Sequence, residues 1–187
     1  MQKIVLAVVG LAGAGKTEAT AYLLKKTLWP KVYFGQVVLD EVQKRGLPLD
    51  EANEKSVREE FRSRDGMAAM AVANLPAVKK AFAASSVIIE SLYSWEEYLV
   101  IKNEFGEAFK VLAIFSPFKT RAARMANRPN RPLTKEQLQS RDYSQIENLH
   151  QAGPIARADW MIVNEGSKEE LFGKIDEVLT KINSSKL

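Results

Sequence analysis

The stretch Gly10-Leu-Ala-Gly-Ala-Gly-Lys-Thr17 decides the fold of this 187-residue chain. It fits the pattern G-x-x-x-x-G-K-[ST], follows an apolar run at residues 4–9 and precedes a helix-compatible segment at residues 18–28. Strand, glycine-rich turn and helix in this order let backbone N–H groups and a helix N-terminus point at phosphate oxygens. We therefore predict that this stretch, the phosphate-binding loop, binds a nucleoside triphosphate.

The phosphate-binding loop also assigns roles to single residues. Lys16 is expected to reach the β- and γ-phosphates as a catalytic residue, and the Thr17 hydroxyl to hold Mg²⁺. The residues expected to contact the cofactor ATP here are Gly10, Ala12, Gly13, Ala14, Gly15, Lys16, Thr17 and Glu18.

Composition bounds the class of protein. At 187 residues the chain is expected to form one domain, 1–187, with a substantial core. It has no cysteine, which excludes disulfides, thiolate metal sites and cysteine nucleophiles. His150 is the single histidine, which excludes a histidine-rich metal centre.

The chain ends and the charge suggest where the protein works. Met1-Gln2-Lys3 is expected to enter the first strand directly, leaving no room for a signal peptide, and no apolar run approaches the ~20 residues that span a bilayer. We therefore expect a cytoplasmic protein without a membrane partner. The net charge of +4 suits an anionic small molecule and is too small to indicate nucleic acid.

Continuous apolar runs separated by helical segments predict the architecture. Such runs are typical of parallel strands buried on both faces, with helices as the crossovers. We predict a three-layer α/β P-loop fold with a five-stranded parallel sheet. The predicted strands lie at residues 4–9, 32–34, 87–89, 111–115 and 160–163.

Two further regions stand out between the strands. Residues 36–84 read as a helical insertion, punctuated at 46–48, 65–66 and 75–76, and this insertion is expected to bind the acceptor. Residues 121–141 read as an arginine-rich lid. Within it the chain from 128 to 134 contains two prolines, and Thr134 with Gln137 predicts a capping box for a helix that begins at Lys135.

The remaining motifs favour phosphoryl transfer. A guanine-reading Asn-Lys-x-Asp sequence is absent, since the nearest candidate at residues 163–166 lacks its lysine and aspartate, and a motor of the AAA type normally needs a longer chain with a separate helical domain. An arginine-rich lid can neutralise charge on the transferring group and exclude water.

Three motifs resemble the nucleoside monophosphate kinase group: GLAGAGKT, RAARMANRPNR at residues 121–131 and ADWMIVNEGS at residues 158–167. The last is similar to dephospho-CoA kinases and to archaeal adenylate-kinase-like proteins. The resemblance implies that Arg124 stacks on the adenine, Arg128 contacts phosphates, and Arg131 and Arg141 face the transferring phosphoryl group and the acceptor. It also implies that the loop around Asn164 packs beside the adenine.

The resemblance further implies that Glu90, at the end of the third strand, organises Mg²⁺ or contacts the acceptor. Two positions depart from the archaeal relatives, which tend to carry aspartate where this chain has Gln36 and aspartate-glycine where it has Glu90-Ser91. Because the Gln36 amide cannot act as a base, Asp40 and Glu41 could compensate, although a solvated helix face is the more ordinary role for both.

Arg62 aligns with an arginine that the resembling proteins use on the acceptor phosphate; a surface ion pair with Glu59 or Asp65 is the alternative. Arg121 is expected to be a solvated helix residue, and Trp95 with Tyr98 to pack on the sheet.

These observations lead to one functional hypothesis and two alternatives. The hypothesis is ATP- and Mg²⁺-dependent phosphoryl transfer to a nucleotide-like acceptor, as in a nucleoside or deoxynucleoside monophosphate kinase. The alternatives are a dephospho-CoA kinase-like activity and a non-kinase ATPase module that acts on a macromolecular partner.

Overall fold

A five-stranded parallel sheet forms the centre of the protein. The computed structural model describes residues 3–184, so Met1 and Gln2, the expected start of the domain, and residues 185–187, its expected end, lie outside the described residues. The strand order is β2-β3-β1-β4-β5, with every neighbouring pair parallel. The strands are β1 Val5–Val9, β2 Lys31–Tyr33, β3 Val87–Glu90, β4 Phe109–Phe115 and β5 Trp160–Val163.

The side chains of β1 alternate between two separate cores. Val5, Ala7 and Val9 belong to one cluster, whereas Leu6 and Val8 belong to the other. Helices cover both faces of the sheet, which explains the continuous apolar runs. The predicted three-layer α/β fold is confirmed, with the strand ends shifted by one or two residues.

The strand register brings two functional segments together. Val8 of β1 is paired with Glu90 of β3, directly before the phosphate-binding loop. Because parallel strands end at the same edge, the loop and the acidic end of β3 share the carboxyl edge of the sheet, where α/β proteins place their ligands.

The predicted helical insertion consists of three helices, α2 Gln36–Lys44, α3 Glu51–Asp65 and α4 Ala69–Ala84.

Helix α1 begins at Lys16, within the phosphate-binding loop, and ends before Leu28, whose φ of 57° terminates it ahead of Pro30. The helices are α1 Lys16–Thr27, α2 Gln36–Lys44, α3 Glu51–Asp65, α4 Ala69–Ala84, α5 Trp95–Phe105, α6 Phe118–Ala126, α7 Lys135–Tyr143, α8 Ala152–Ala156 and α9 Lys168–Ser184.

Pro76 does not interrupt the insertion, as the sequence suggested, but lies inside α4. A proline there removes the hydrogen bond to the carbonyl of Val72, a residue on the exposed side of the helix. Buried residues on either side hold the helix in place: Asn74 donates to the Phe34 carbonyl over 3.0 Å, and Val78 is fully buried. Tertiary packing therefore overrides the local preference.

The predicted lid connects α6 and α7. Residues 127–134 have no helix or strand, and the Thr134–Gln137 capping box begins α7 at Lys135, as predicted. Among the described residues, no helix is both long and apolar enough to span a membrane.

Candidate active site

Buried side chains hold the carbonyls of the phosphate-binding loop. Gln151 Nε2 donates to the Gly10 carbonyl over 3.1 Å, and Asn164 Nδ2 donates to the Ala14 carbonyl over 2.8 Å. Gln151 and Asn164 are 0% and 6% exposed, so these carbonyls point into the protein. The backbone N–H groups are thereby left for the cleft, as an anion site requires.

Two positions of the loop cannot carry a side chain and are occupied by glycine. Gly10 has a φ of 142°, and a Cβ there would collide with the Ile114 carbonyl oxygen. Gly15 has a φ of 106°, and its Cβ would collide with Asn164 Nδ2. These left-handed conformations and close approaches favour glycine at both positions. The cradle therefore fits the phosphates of ATP.

Lys16 is surrounded by positive charge. Its Nζ donates to the Leu11 carbonyl over 3.0 Å, within the loop itself. Burial first, and then the nearby Arg141 and Arg121 guanidinium groups, lower the pKa of Lys16 to about 8, although Glu90 opposes the shift. A bound polyphosphate would compensate these converging cations.

A cavity of about 790 Å³ brings most of the predicted donor residues together. We call it the donor cavity. Thr17, Glu18 and Glu90 line it, with oxygens of the kind that Mg²⁺ prefers, so a metal held jointly with ATP phosphates fits there. The predicted arginines that also line it are Arg124, Arg128, Arg131 and Arg141.

Sequence reasoning missed Lys31 in the donor cavity. Its Nζ lies 2.6 Å from Glu90 Oε2, so Lys31 on β2 forms an ion pair with the predicted catalytic carboxylate on β3. The only signal in the sequence was a charged residue at the start of a short strand. Lys31 therefore adds another cation beside the expected phosphates.

Arg124 faces the donor cavity, but Asn164 does not line it. Arg124 Nη1 donates to Ser116 Oγ over 3.1 Å and to the Asn164 carbonyl over 3.0 Å, which fixes its guanidinium at the cavity wall. The Asn164 side chain supports the loop at Ala14, and its predicted contact with the cofactor stays a prediction.

Arg121 is not the solvated residue that the sequence suggested. It is 5% exposed and forms a bidentate ion pair with Asp142, with nitrogen–oxygen distances of 2.9 and 2.7 Å. It also donates to the carbonyls of Ala12 and Ser116 over 3.1 and 3.0 Å. Arg121 therefore joins the phosphate-binding loop to both helices of the lid.

Arg131 connects the lid to the insertion. Its φ of 53° is in the left-handed region, and its Nη1 lies 2.8 Å from Glu51 Oε2 at the start of α3. Glu54 lies 3.8 Å from Nη2. Both Arg131 and Glu51 side chains are 61% exposed, so the contact is at the surface.

A second cavity of about 800 Å³ lies beside the insertion, and we call it the acceptor cavity. It shares Glu51, Tyr93 and Arg141 with the donor cavity. Arg62 also lines it, without an ion pair to Asp65, which pairs with Arg64 over 2.6 Å instead. The predicted contact of Arg62 with the acceptor phosphate stays a prediction.

The structure does not bring Gln36 into the cleft. Its Nε2 donates to Asp40 Oδ1 over 2.8 Å, on the exposed side of α2, and neither cavity includes it. Glu41 pairs with Arg45 over 2.8 Å. Asp40 and Glu41 line neither cavity, and the contact predicted between Gln36 and the acceptor stays a prediction.

The aromatic residues after β3 divide between core and cleft. Trp95 and Tyr98 stack with ring centroids 4.8 Å apart and pack in the core with Phe109, as expected. Tyr93 lines both cavities. His150 lies at the surface, where Nδ1 is 2.9 Å from Glu96 Oε1.

Comparison with known proteins gives the family. A UPF0200 protein from Pyrococcus abyssi is 32% identical over 183 residues, which cover 96% of this chain and 97% of that protein. The chain belongs to the UPF0200 family. Another UPF0200 protein, from Thermococcus kodakarensis, is 29% identical over 187 residues, which cover 96% of this chain and all of that protein. A family model described as an AAA domain matches residues 6–148 of this UPF0200 protein.

Solved structures share the fold at low identity. Shikimate kinase from Aquifex aeolicus has a TM-score of 0.63 and 19% identity, covering 98% of this UPF0200 protein and all of that chain. A gluconokinase from Sinorhizobium meliloti has a TM-score of 0.59 and 13% identity, covering 97% and 95%. The resemblance is confirmed at the level of a P-loop kinase-like fold, whereas the relatives are not specifically adenylate or dephospho-CoA kinases.

Proposed function

We propose that this UPF0200 protein transfers the γ-phosphoryl group of ATP to a small, nucleotide-like acceptor. The observation that carries the proposal is that the donor and acceptor cavities, of about 790 and 800 Å³, are adjacent and share Glu51, Tyr93 and Arg141 in their walls. Arg141 is also the cation that most strongly lowers the pKa of Lys16. An acceptor group next to Arg141 would therefore lie next to the transferred phosphoryl group.

In the proposed reaction, an acceptor oxygen forms a bond to the γ-phosphorus while the bond to the β–γ bridging oxygen breaks, and its electron pair leaves with ADP. Lys16 and Arg128 neutralise charge on the donor side, and Arg131 and Arg141 on the acceptor side. Thr17 and Glu90 would hold Mg²⁺, which would supply further charge neutralisation to the ATP phosphates.

A phosphate group on the acceptor suits the residues that are present. Its oxygens are largely deprotonated at neutral pH, since the second pKa is about 6, so transfer needs no general base. Glu90 is paired with Lys31, and His150 is paired with Glu96 at the surface. This arrangement favours a nucleotide-like acceptor over a hydroxyl acceptor.

A coupled ADP-release assay tests the proposal. The acceptor panel contains mononucleotides, dephospho-CoA, shikimate and gluconate. We expect slow ATP hydrolysis alone, strong turnover with a nucleotide-like acceptor, and a loss of roughly 100- to 1,000-fold in Lys16→Ala but not in the exposed Lys25→Ala on the same helix. ATP hydrolysis stimulated by RNA or protein, with no phosphorylated small product, would instead identify an ATPase module.

A further inference from the structure

A third and smaller cavity, of about 160 Å³, adjoins the cleft, and we call it the ring cavity. It shares Tyr93 and Arg141 with both larger cavities. A cavity of about 150 Å³ in another protein holds one benzene ring, so the ring cavity has room for the six-membered ring of a nucleobase. Its apolar walls include Phe34, Val38, Leu39 and Met70.

Glu97 lines this cavity and carries a buried oxygen without a partner. Its Oε2 accepts hydrogen bonds from the backbone N–H groups of Tyr93 and Ser94, over 2.7 and 3.1 Å, within the capping box of α5. The residue is fully buried, and Oε1 has no hydrogen-bond partner. Burial raises the pKa of Glu97 to about 7.

Arg62, which lines the same cavity, supplies the complementary group. Its Nε is buried and has no hydrogen-bond partner, and the residue lines both the ring cavity and the acceptor cavity. The charges of Arg62 and Glu97 attract each other, yet no ion pair within 4.0 Å joins them in the described part of the chain. The ring cavity thus holds one free buried acceptor atom and one free buried donor, a combination that native proteins seldom leave unmatched.

We propose that Glu97 and Arg62 recognise the edge of a nucleobase in the ring cavity. Glu97 Oε1 accepts a hydrogen bond from an N–H group of the base, and Arg62 Nε donates to a neighbouring ring nitrogen or carbonyl oxygen. This inference rests on the proposed function, since it specifies the acceptor as a nucleoside monophosphate. The base lies between Glu97 and Met70, and the phosphate extends toward Arg141.

Calorimetric binding, with saturating ADP filling the donor cavity, tests this assignment without requiring turnover. AMP, GMP and CMP are titrated first, and the tightest is compared with an analogue whose base lacks the N–H donors of that edge: purine riboside 5′-monophosphate or 2-pyrimidinone riboside 5′-monophosphate. We expect the analogue to bind about 10- to 100-fold more weakly to the wild type, because it leaves Glu97 unpaired.

Two variants separate recognition from folding. In Glu97→Gln the amide oxygen can retain the two backbone hydrogen bonds, which turns the NH₂ group toward the base, so discrimination should fall to within about threefold. Glu104→Gln, on the same helix but paired with Lys79, is the matched control and should discriminate like the wild type. Arg62→Met leaves the α5 cap untouched and should weaken nucleotide binding by about tenfold or more without changing the affinity for ADP.

The outcomes distinguish this inference from the proposed function. Three results would each overturn the assignment. They are a Glu97→Gln variant that still discriminates the nucleotide from its analogue as strongly as the wild type, a wild type that binds both equally, and no mononucleotide binding at saturating ADP. If the analogue binds more weakly as expected but the ADP-release assay detects no phosphoryl transfer, base recognition in the ring cavity would be supported and the kinase proposal contradicted.

Discussion

Breaking the Arg121–Asp142 pair should destabilise the protein more than removing both partners. Arg121 makes four hydrogen bonds, two to the Asp142 carboxylate and one each to the Ala12 and Ser116 carbonyls. Both side chains are under 10% exposed. Arg121→Met therefore leaves a buried carboxylate without a counter-ion, and Asp142→Leu leaves a buried guanidinium with its two carbonyl partners alone.

The sizes of these effects follow from the cost of unpaired buried charge. Removing one partner of a buried pair costs about 3–5 kcal/mol, so Arg121→Met should lower the free energy of unfolding by about 4 kcal/mol. Asp142→Leu should cost about 3 kcal/mol, because Arg121 retains its carbonyl contacts. The double variant has no unpaired charge and should cost only about 2 kcal/mol, mainly for two carbonyls that lose a donor.

Urea unfolding of the four proteins, followed by circular dichroism, measures this cycle. A double variant more stable than either single variant would confirm that the two charges are coupled. The reasoning is wrong if Arg121→Met costs less than about 1 kcal/mol, or if the cost of the double variant equals the sum of the single costs. Either result would mean that water or another group satisfies the remaining charge.

Three further predictions concern single ionisable or strained residues. The pKa of Lys16 is lowered to about 8, so this residue loses its positive charge as the pH rises through 8. The affinity for ADP, measured by calorimetry, should fall over the same range, and an affinity that stays constant up to pH 9.5 would contradict this. The pKa of Glu97 is raised from 4.5 to about 7, so its contribution to stability is full below pH 4.5 and is lost as the pH rises through 7. The stability of Glu97→Gln relative to wild type should therefore increase by about 3 kcal/mol between pH 4 and pH 8 in urea unfolding, at about 1.4 kcal/mol per pKa unit, and no change would refute it. Ser91 has a φ of 68°, so Ser91→Gly should raise the unfolding free energy by up to about 1 kcal/mol, whereas Ser85→Gly, at a φ of −152°, should lower it.

Local chemistry in the sequence predicts the parts of the structure that depend on local contacts. The glycines of the phosphate-binding loop require particular backbone angles, and the Thr134–Gln137 capping box satisfies backbone groups three residues apart, so both appear in the sequence itself. The strands were predictable because burial on both faces leaves continuous apolar runs.

Long-range contacts determine the features that the sequence did not reveal. Arg121 looked like a surface residue because its partner Asp142 lies 21 positions away and the Ala12 carbonyl 109 positions away. Pro76 looked like a helix end because the packing of Asn74 and Val78 could not be read locally. Sequence reasoning did not single out Glu97, because only the fold buries its second oxygen.

The two ends of the predicted lid are held with very different strength, and from this we propose how the cleft opens. At the base, the Arg121–Asp142 pair is buried, and Arg121 also donates to the carbonyls of Ala12 and Ser116. Opening there would break these charge-assisted hydrogen bonds, at a cost of several kcal/mol. At the tip, Arg131 meets Glu51 in an exposed pair, and such pairs contribute only about 0–1 kcal/mol. Opening should therefore separate the lid tip from α3 while α6 and α7 stay joined at the base. Because Arg131 is also a proposed partner of the transferred phosphoryl group, phosphate binding would compete with Glu51 for the same guanidinium and couple lid position to the presence of both substrates.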